Sequence, residues 1–169
     1  GSDFGGAMAG FFTDEPQYYR WKTPYSRRME EWFFEEYGYS VFDALPSLFV
    51  DYEGAMEHRY DYHRLTNKKF TENFAKRLYE WHDKNGVELT GHFVQEDSLS
   101  WQMVCAGDMM PLYLYEHIPG VDNLGRYTDS DLAFKQLGSV ASQTGKEKAL
   151  SEMFACCGWD VTPRELRRI

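Results

Sequence analysis

The sequence predicts an α/β fold in which parallel strands are joined by crossover helices. Two observations carry this. Short apolar runs alternate with longer stretches of helical periodicity, the order expected when strands are linked through helices. Acidic and imidazole residues also recur just past the apolar runs, where parallel α/β folds gather reactive groups at the carboxyl ends of strands. A third observation, length, narrows the architecture. The chain has 169 residues, enough for one core but short of the roughly 250 of a complete (β/α)8 barrel. The expectation is therefore a partial barrel. With no tandem repeat, linker or low-complexity tract, residues 1–169 read as a single catalytic-domain fragment, about half of such a barrel.

The first strand is Ala9-Gly10-Phe11-Phe12-Thr13, ending in Asp14-Glu15-Pro16. Pro16 opposes continuation of a helix or central strand, so the two acids stand where a buried strand becomes a loop. An aromatic loop, Gln17 to Trp21, follows. Thr23-Pro24 has the form of an N-cap with proline at the first helical position. Met29, Trp32, Phe33 and Tyr37 then recur at helical spacing up to a stop at Gly38. A second helix is expected from about Gly54 to Asn85, ending at Gly86, with Phe70, Phe74, Leu78 and Trp81 as its apolar stripe.

Val87 to Val94 is the second predicted strand, with Gln95, Glu96 and Asp97 beyond it, and Ser98 to Ala106 is a short helix. Glu116-His117-Ile118 is taken as a third strand or strand end. Asp129 or Ser130 caps a helix carrying Leu132, Leu137 and Val140, which runs to Gly145. Lys146 to Ser151 is the fourth strand, closed by Glu152, and Thr162-Pro163-Arg164-Glu165 has capping-box spacing. The four strands are expected to end near Thr13, Val94, Ile118 and Glu152.

Composition limits the function classes. The net charge is −9 and the pI near 5.0, which argues against nucleic acid as a partner. No apolar run is long enough to span a membrane, and the first ten residues lack the basic and apolar regions of a signal peptide, so the compartment is left open. Cys105, Cys156 and Cys157 show neither a disulfide framework nor the paired spacing of a zinc site, and reduced thiols are the expectation. The aromatic share of 17% exceeds ordinary usage, and such rings line cores and ligand clefts alike.

Cleavage of a glycosidic bond needs a carboxylic acid at the leaving oxygen and a carboxylate opposite it. Position at strand ends selects Glu15 and Glu152 from the 27 acidic residues as the catalytic pair. Asp14, His92, Glu96, Glu116 and His117 are candidates to bind substrate hydroxyls, while Trp21, Trp101 and Trp159 are candidate stacking platforms beside them. No compact metal motif is present and no cofactor is expected; oxygen ligands from Glu116 and Glu152 keep calcium as an option. His58, His63 and His82 fall on the long helix and read as packing or surface residues.

Four segments resemble bacterial glycoside hydrolases of the α-L-rhamnosidase-like kind. They are Gly10-Phe11-Phe12-Thr13-Asp14-Glu15-Pro16-Gln17, Leu89-Thr90-Gly91-His92-Phe93, Glu116 to Asp122, and Leu150-Ser151-Glu152 with Cys157-Gly158-Trp159-Asp160. The resemblance implies that Glu15 is the general acid after barrel strand 4 and that Glu152 is its partner after strand 7. It further implies that His92 and Glu96 follow strand 5, and Glu116 and His117 strand 6. The implied activity is hydrolysis of a terminal glycoside such as an α-L-rhamnoside, with some relatives using calcium. The alternative is a non-catalytic carbohydrate-binding or assembly fragment of a larger enzyme. Uncovered strand edges are expected to favour self-association or pairing with the remaining barrel segments.

Overall fold

The computed structural model describes residues 3–18, 23–127 and 130–167. Trp21 and Asp129 lie outside that set. Four short strands are present: β1 (Gly10–Asp14), β2 (Glu88–His92), β3 (Gly120–Asn123) and β4 (Leu150–Met153). β1 pairs with β2 and β3 with β4, both in parallel. A parallel bridge between Thr90 and Ile118 brings the two pairs side by side. The chain is thus α/β with short parallel strands.

Close approach of backbones dictates glycine at two points of this array. A Cβ on Gly91 would lie 2.1 Å from the Thr13 carbonyl oxygen, and one on Gly120 would lie 2.1 Å from that of Gly91. Both are far inside van der Waals contact, so only glycine permits these strands to meet.

Between β1 and β2 the helices are α1 (Met29–Tyr37), α2 (Val41–Ala44), α3 (Ala55–Phe70) and α4 (Lys76–Asn85). A 3-10 turn, Leu45–Leu48, follows α2, and a π turn, Thr71–Ala75, joins α3 to α4. The long helix predicted from Gly54 to Asn85 is therefore present, but with a bulge in its middle. Gly38 and Gly86 end α1 and α4 in the left-handed region, as their positions in the sequence suggest. The remaining helices are α5 (Leu99–Cys105), α6 (Met109–Tyr113), α7 (Leu132–Thr144) and α8 (Pro163–Leu166). The capping box at Thr162 and Glu165 is formed.

Two buried clusters hold these elements together. One gathers Phe93, Met109, Leu112, Tyr113, Val121, Leu137 and Val140 between the strands and helices α6 and α7, with the stacked rings of Phe70 and Phe74 against it. The other joins α1, α2 and α3 through Met29, Phe33, Val41, Ala44, Tyr62 and Leu65.

Several expectations are corrected. Thr23-Pro24 does not start a helix; α1 begins at Met29, and the Pro24 carbonyl instead accepts a hydrogen bond from the buried Tyr62 hydroxyl. The third strand is Gly120–Asn123 rather than Glu116–Ile118: Asp108 caps the extra helix α6, and of the predicted segment only Ile118 makes a bridge to the sheet before the strand itself begins at Gly120. The fourth strand starts at Leu150 rather than Lys146 and includes Glu152. At the start of α7 the expectation holds for Ser130, whose hydroxyl accepts the Leu132 amide.

Candidate functional site

Register assembles the site. Asp14 pairs with His92 across β1 and β2, and Asp122 pairs with Glu152 across β3 and β4. In parallel strands, paired residues point to the same face, so these four polar side chains share one face near the carboxyl ends. The backbone is strained at the same edge. Glu15 after β1, Gln95 after β2 and Phe154 after β4 all adopt positive φ, at 47°, 59° and 71°. Non-glycine residues hold such angles only where their surroundings impose them.

His92 is the centre of the group. Its side chain is only 2% exposed, and its Nε2 lies 2.9 Å from Glu152 Oε2 and 3.5 Å from Asp14 Oδ1. Its Nδ1, 3.9 Å from Asp122 Oδ2, has no hydrogen-bond partner. Burial disfavours the charged ring, but the hydrogen bond to Glu152 and the charges of Asp122 and Glu96 outweigh it and hold the His92 pKa above its ordinary value. Asp122 is raised too, by burial first, with the neighbouring charges of Glu15, Asp97 and Glu152 adding to it and His92 opposing. The Phe12 ring packs edge-on against His92, their centroids 5.6 Å apart.

Glu96 lies below this edge, within the core. Its Oε1 accepts hydrogen bonds from the Tyr113 hydroxyl at 2.7 Å and the Phe93 amide at 3.2 Å, and its Oε2 accepts from the Asp122 amide at 3.2 Å. Burial outweighs these three donors and pushes its pKa up to about 8. Glu96 thereby ties the loop after β2 to the backbone of β3.

The structure brings together Asp14, His92, Glu96 and Glu152 from the sequence-predicted set, with the Glu15 charge acting on Asp122. It does not bring Glu116 and His117 to this edge, since both precede β3. Glu116 is buried, accepts the Gly120 amide at 3.3 Å, and is held well above the ordinary carboxylate range, chiefly by burial. His117 accepts the Leu89 amide on Nδ1 at 3.0 Å and stacks on Tyr79 at 4.4 Å. Both tie the amino-terminal side of the sheet together. Trp101 stands on α5 with its amide on the Ser98 hydroxyl, and Trp159 is fully exposed beside the Arg126–Asp160 ion pair.

Sequence reasoning missed Asp122 as a site residue. The signal was available: Gly120-Val121-Asp122-Asn123 after Pro119 is an apolar-to-acid step like Thr13-Asp14. Of the three histidines read as packing residues, His82 is buried with Nδ1 2.6 Å from the Leu78 carbonyl, and His58 Nδ1 meets the Tyr52 hydroxyl at 2.7 Å. A groove of about 810 Å³ lies elsewhere, between α3 and the α5–α6 region, lined by Met56, Tyr60, His63, Met103 and Tyr115. None of the carboxylate cluster lines it, and its apolar lining lacks the grouped acids of the strand edge.

Donor atoms of Asp14, His92 and Glu152 lie within 4.8 Å of one another, as do those of His92, Glu96 and Asp122. Calcium takes six to eight oxygens, and each of these groups offers two carboxylates around one imidazole. Both oxygens of Glu96 are already engaged by hydrogen-bond donors. The residues present do not fit calcium.

No family profile and no curated protein matches the chain. Among solved structures it is similar to a rhamnosidase from Novosphingobium sp. PP1Y, with 20% identity and a TM-score of 0.64 over 85% of this chain. The chain spans 14% of that protein's length. At this identity the likeness concerns the fold alone.

Proposed function

We propose that the chain is a catalytic fragment of a glycoside hydrolase that cleaves a terminal glycosidic bond of the α-L-rhamnoside class. Its four strands would correspond to strands 4 to 7 of a (β/α)8 barrel, Glu15 would be the general acid, and Glu152 the partner carboxylate. The observation that carries this reading is the convergence of carboxylates from β1, β3 and β4 on His92 at one carboxyl edge. The likeness of fold to a rhamnosidase supports the choice of sugar.

The roles follow from the surroundings. A base or nucleophile must be oriented and open to water, and the hydrogen bond between Glu152 and His92 holds a half-exposed carboxylate at the strand edge. Glu15, exposed on a strained turn after β1, is positioned to reach a leaving group entering from solvent. Inversion, with Glu152 activating water, is the outcome this reading takes. Asp14, His92, Trp101 and Trp159 would contact or frame the sugar; Glu96 would act from the core by holding the β3 backbone, and Glu116 and His117 through the sheet.

A panel of nitrophenyl glycosides, assayed with this chain and with the Glu15→Gln and Glu152→Gln variants, tests the reading. Rhamnoside turnover is expected. Glu15→Gln should depress poor leaving groups far more than activated aryl groups, whereas Glu152→Gln should depress both alike. Near-normal turnover in either variant removes that residue from the mechanism.

The second reading is a carbohydrate-binding or assembly fragment. The observation that favours it is exposure: Phe12, on the face that carries His92, is 48% exposed, and β1 and β4 each have a strand partner on one side only among the described residues. Such a fragment would self-associate or pair with further barrel segments. Sugar binding without turnover, with a dimer in sedimentation, is the result that selects it.

A further inference from the structure

We propose that the His92 imidazole is the resident counter-cation of the carboxylate cluster, occupying the place a divalent ion would need. The inference concerns the charge balance of the site and stands whether or not the site cleaves glycosides.

The argument begins with repulsion. Asp14 from β1 and Glu152 from β4 gather on the Nε2 side of His92, and Asp122 from β3 and Glu96 from the loop after β2 gather with the ring in a second group. Carboxylates gathered round one buried ring favour a compensating positive charge on it. Among the described residues, no lysine or arginine pairs with Asp14, Asp122 or Glu152; each of these acids is paired with His92. The ring reaches all three because its two nitrogens face opposite ways. Nε2 serves Glu152 and Asp14, and Nδ1 points toward Asp122 from a buried position with no hydrogen-bond donor or acceptor of its own.

The same arrangement excludes a metal. An ion in either group of donors would have to take an imidazole nitrogen as ligand, and a ligating histidine must be neutral. On the Nε2 side it would also displace the 2.9 Å hydrogen bond to Glu152, while on the Nδ1 side it would leave that bond in place and need only the Nδ1 proton to leave. Glu96 has no oxygen left without a donor, since Phe93, Tyr113 and Asp122 supply three. A protonated imidazole satisfies the acids already present, whereas a metal requires that proton to leave. Binding of a divalent ion and protonation of His92 are therefore mutually exclusive, which makes the proposal testable on the unmodified chain.

The experiment has two readouts. Calorimetric titration of the chain with calcium chloride, and separately with manganese chloride, is expected to give no single saturable site. NMR titration of the His92 ring protons is expected to give a midpoint above that of a free histidine. Glu152→Gln should lower the proton affinity of His92 by about tenfold, the effect of losing one close hydrogen-bonded charge. One saturable site for either ion, with release of a proton from His92, overturns the proposal. So does a His92 midpoint below the free value, or one unmoved by Glu152→Gln. The wild-type titrations decide the matter even if the variant fails to fold.

Discussion

Glu96 and Glu152 are two glutamates of one site in opposite settings. Glu96 is 1% exposed and receives three hydrogen bonds from Tyr113, Phe93 and the backbone of Asp122. Glu152 has a side chain 46% exposed and, among the described residues, one hydrogen-bond partner, an imidazole. The first is a structural acid that burial keeps protonated to about pH 8, and the second sits against a cation-forming ring at the solvent edge. The lesson is that hydrogen-bond donors alone do not make a carboxylate chemically available. Water access and a charged partner do, and those belong to the strand edge rather than to the core.

The comparison breaks most sharply at Glu96. Glu96→Ala leaves a tyrosine hydroxyl and two amides buried without an acceptor, and is expected to cost about 3–5 kcal/mol in urea unfolding. Gly91→Ala comes next. Its Cβ would meet the Thr13 carbonyl at 2.1 Å, forcing β1 away from β2 and Asp14 away from His92, at a cost of about 3 kcal/mol. A loss under about 1 kcal/mol in either case contradicts the geometry described here.

pH sharpens the same contrast. The folded-state pKa of Glu96 is about 8, against 4.5 for the free group. Between these values the unfolded chain binds fewer protons at this residue than the folded one, so the contribution of Glu96 to stability falls as pH rises through the window. Above about pH 8 both states are ionised and the slope ends. Glu96→Gln cannot ionise. Its stability deficit relative to the parent is expected to be largest near pH 5 and to narrow toward about pH 9, measured by unfolding at each pH. A deficit that widens with pH reverses the assignment.

Smaller effects are expected at the edge. Glu152→Gln should change stability by less than about 1 kcal/mol, because its pair is half open to solvent, while still shifting the His92 titration. Trp159→Ala, at a fully exposed ring, should change stability by less than about 0.5 kcal/mol; any loss of sugar binding would then report contact rather than folding.

How much of this was legible depends on how local the signal was. Pro16 after an apolar run marked the end of β1, and Gly38, Gly86 and Gly145 marked helix ends that the structure has at those residues. Thr162 and Glu165 spelled out their capping box within four residues. The third strand failed because Leu112-Tyr113-Leu114-Tyr115 alternates no more like a strand than like a helix, and Asp108 capping Met110 decided for helix. Sliding the strand to Gly120–Asn123 moved Glu116 and His117 to the amino-terminal side and put Asp122 at the edge instead.

By itself the sequence determined the alternation of strands and helices, the helix stops, and the placement of Asp14, Glu15, His92 and Glu152 at or beside strand ends, because each is written in adjacent residues. Only the tertiary structure decided which of these groups meet. The pairing of Asp14 with His92 and of Asp122 with Glu152 is a matter of register between strands far apart in the chain. That register is set by glycines that let backbones touch and by core packing of Phe93, Val121 and Leu137. The different fates of Glu96 and Glu152 were decided the same way, since burial is a property of the whole packed chain and has no local spelling.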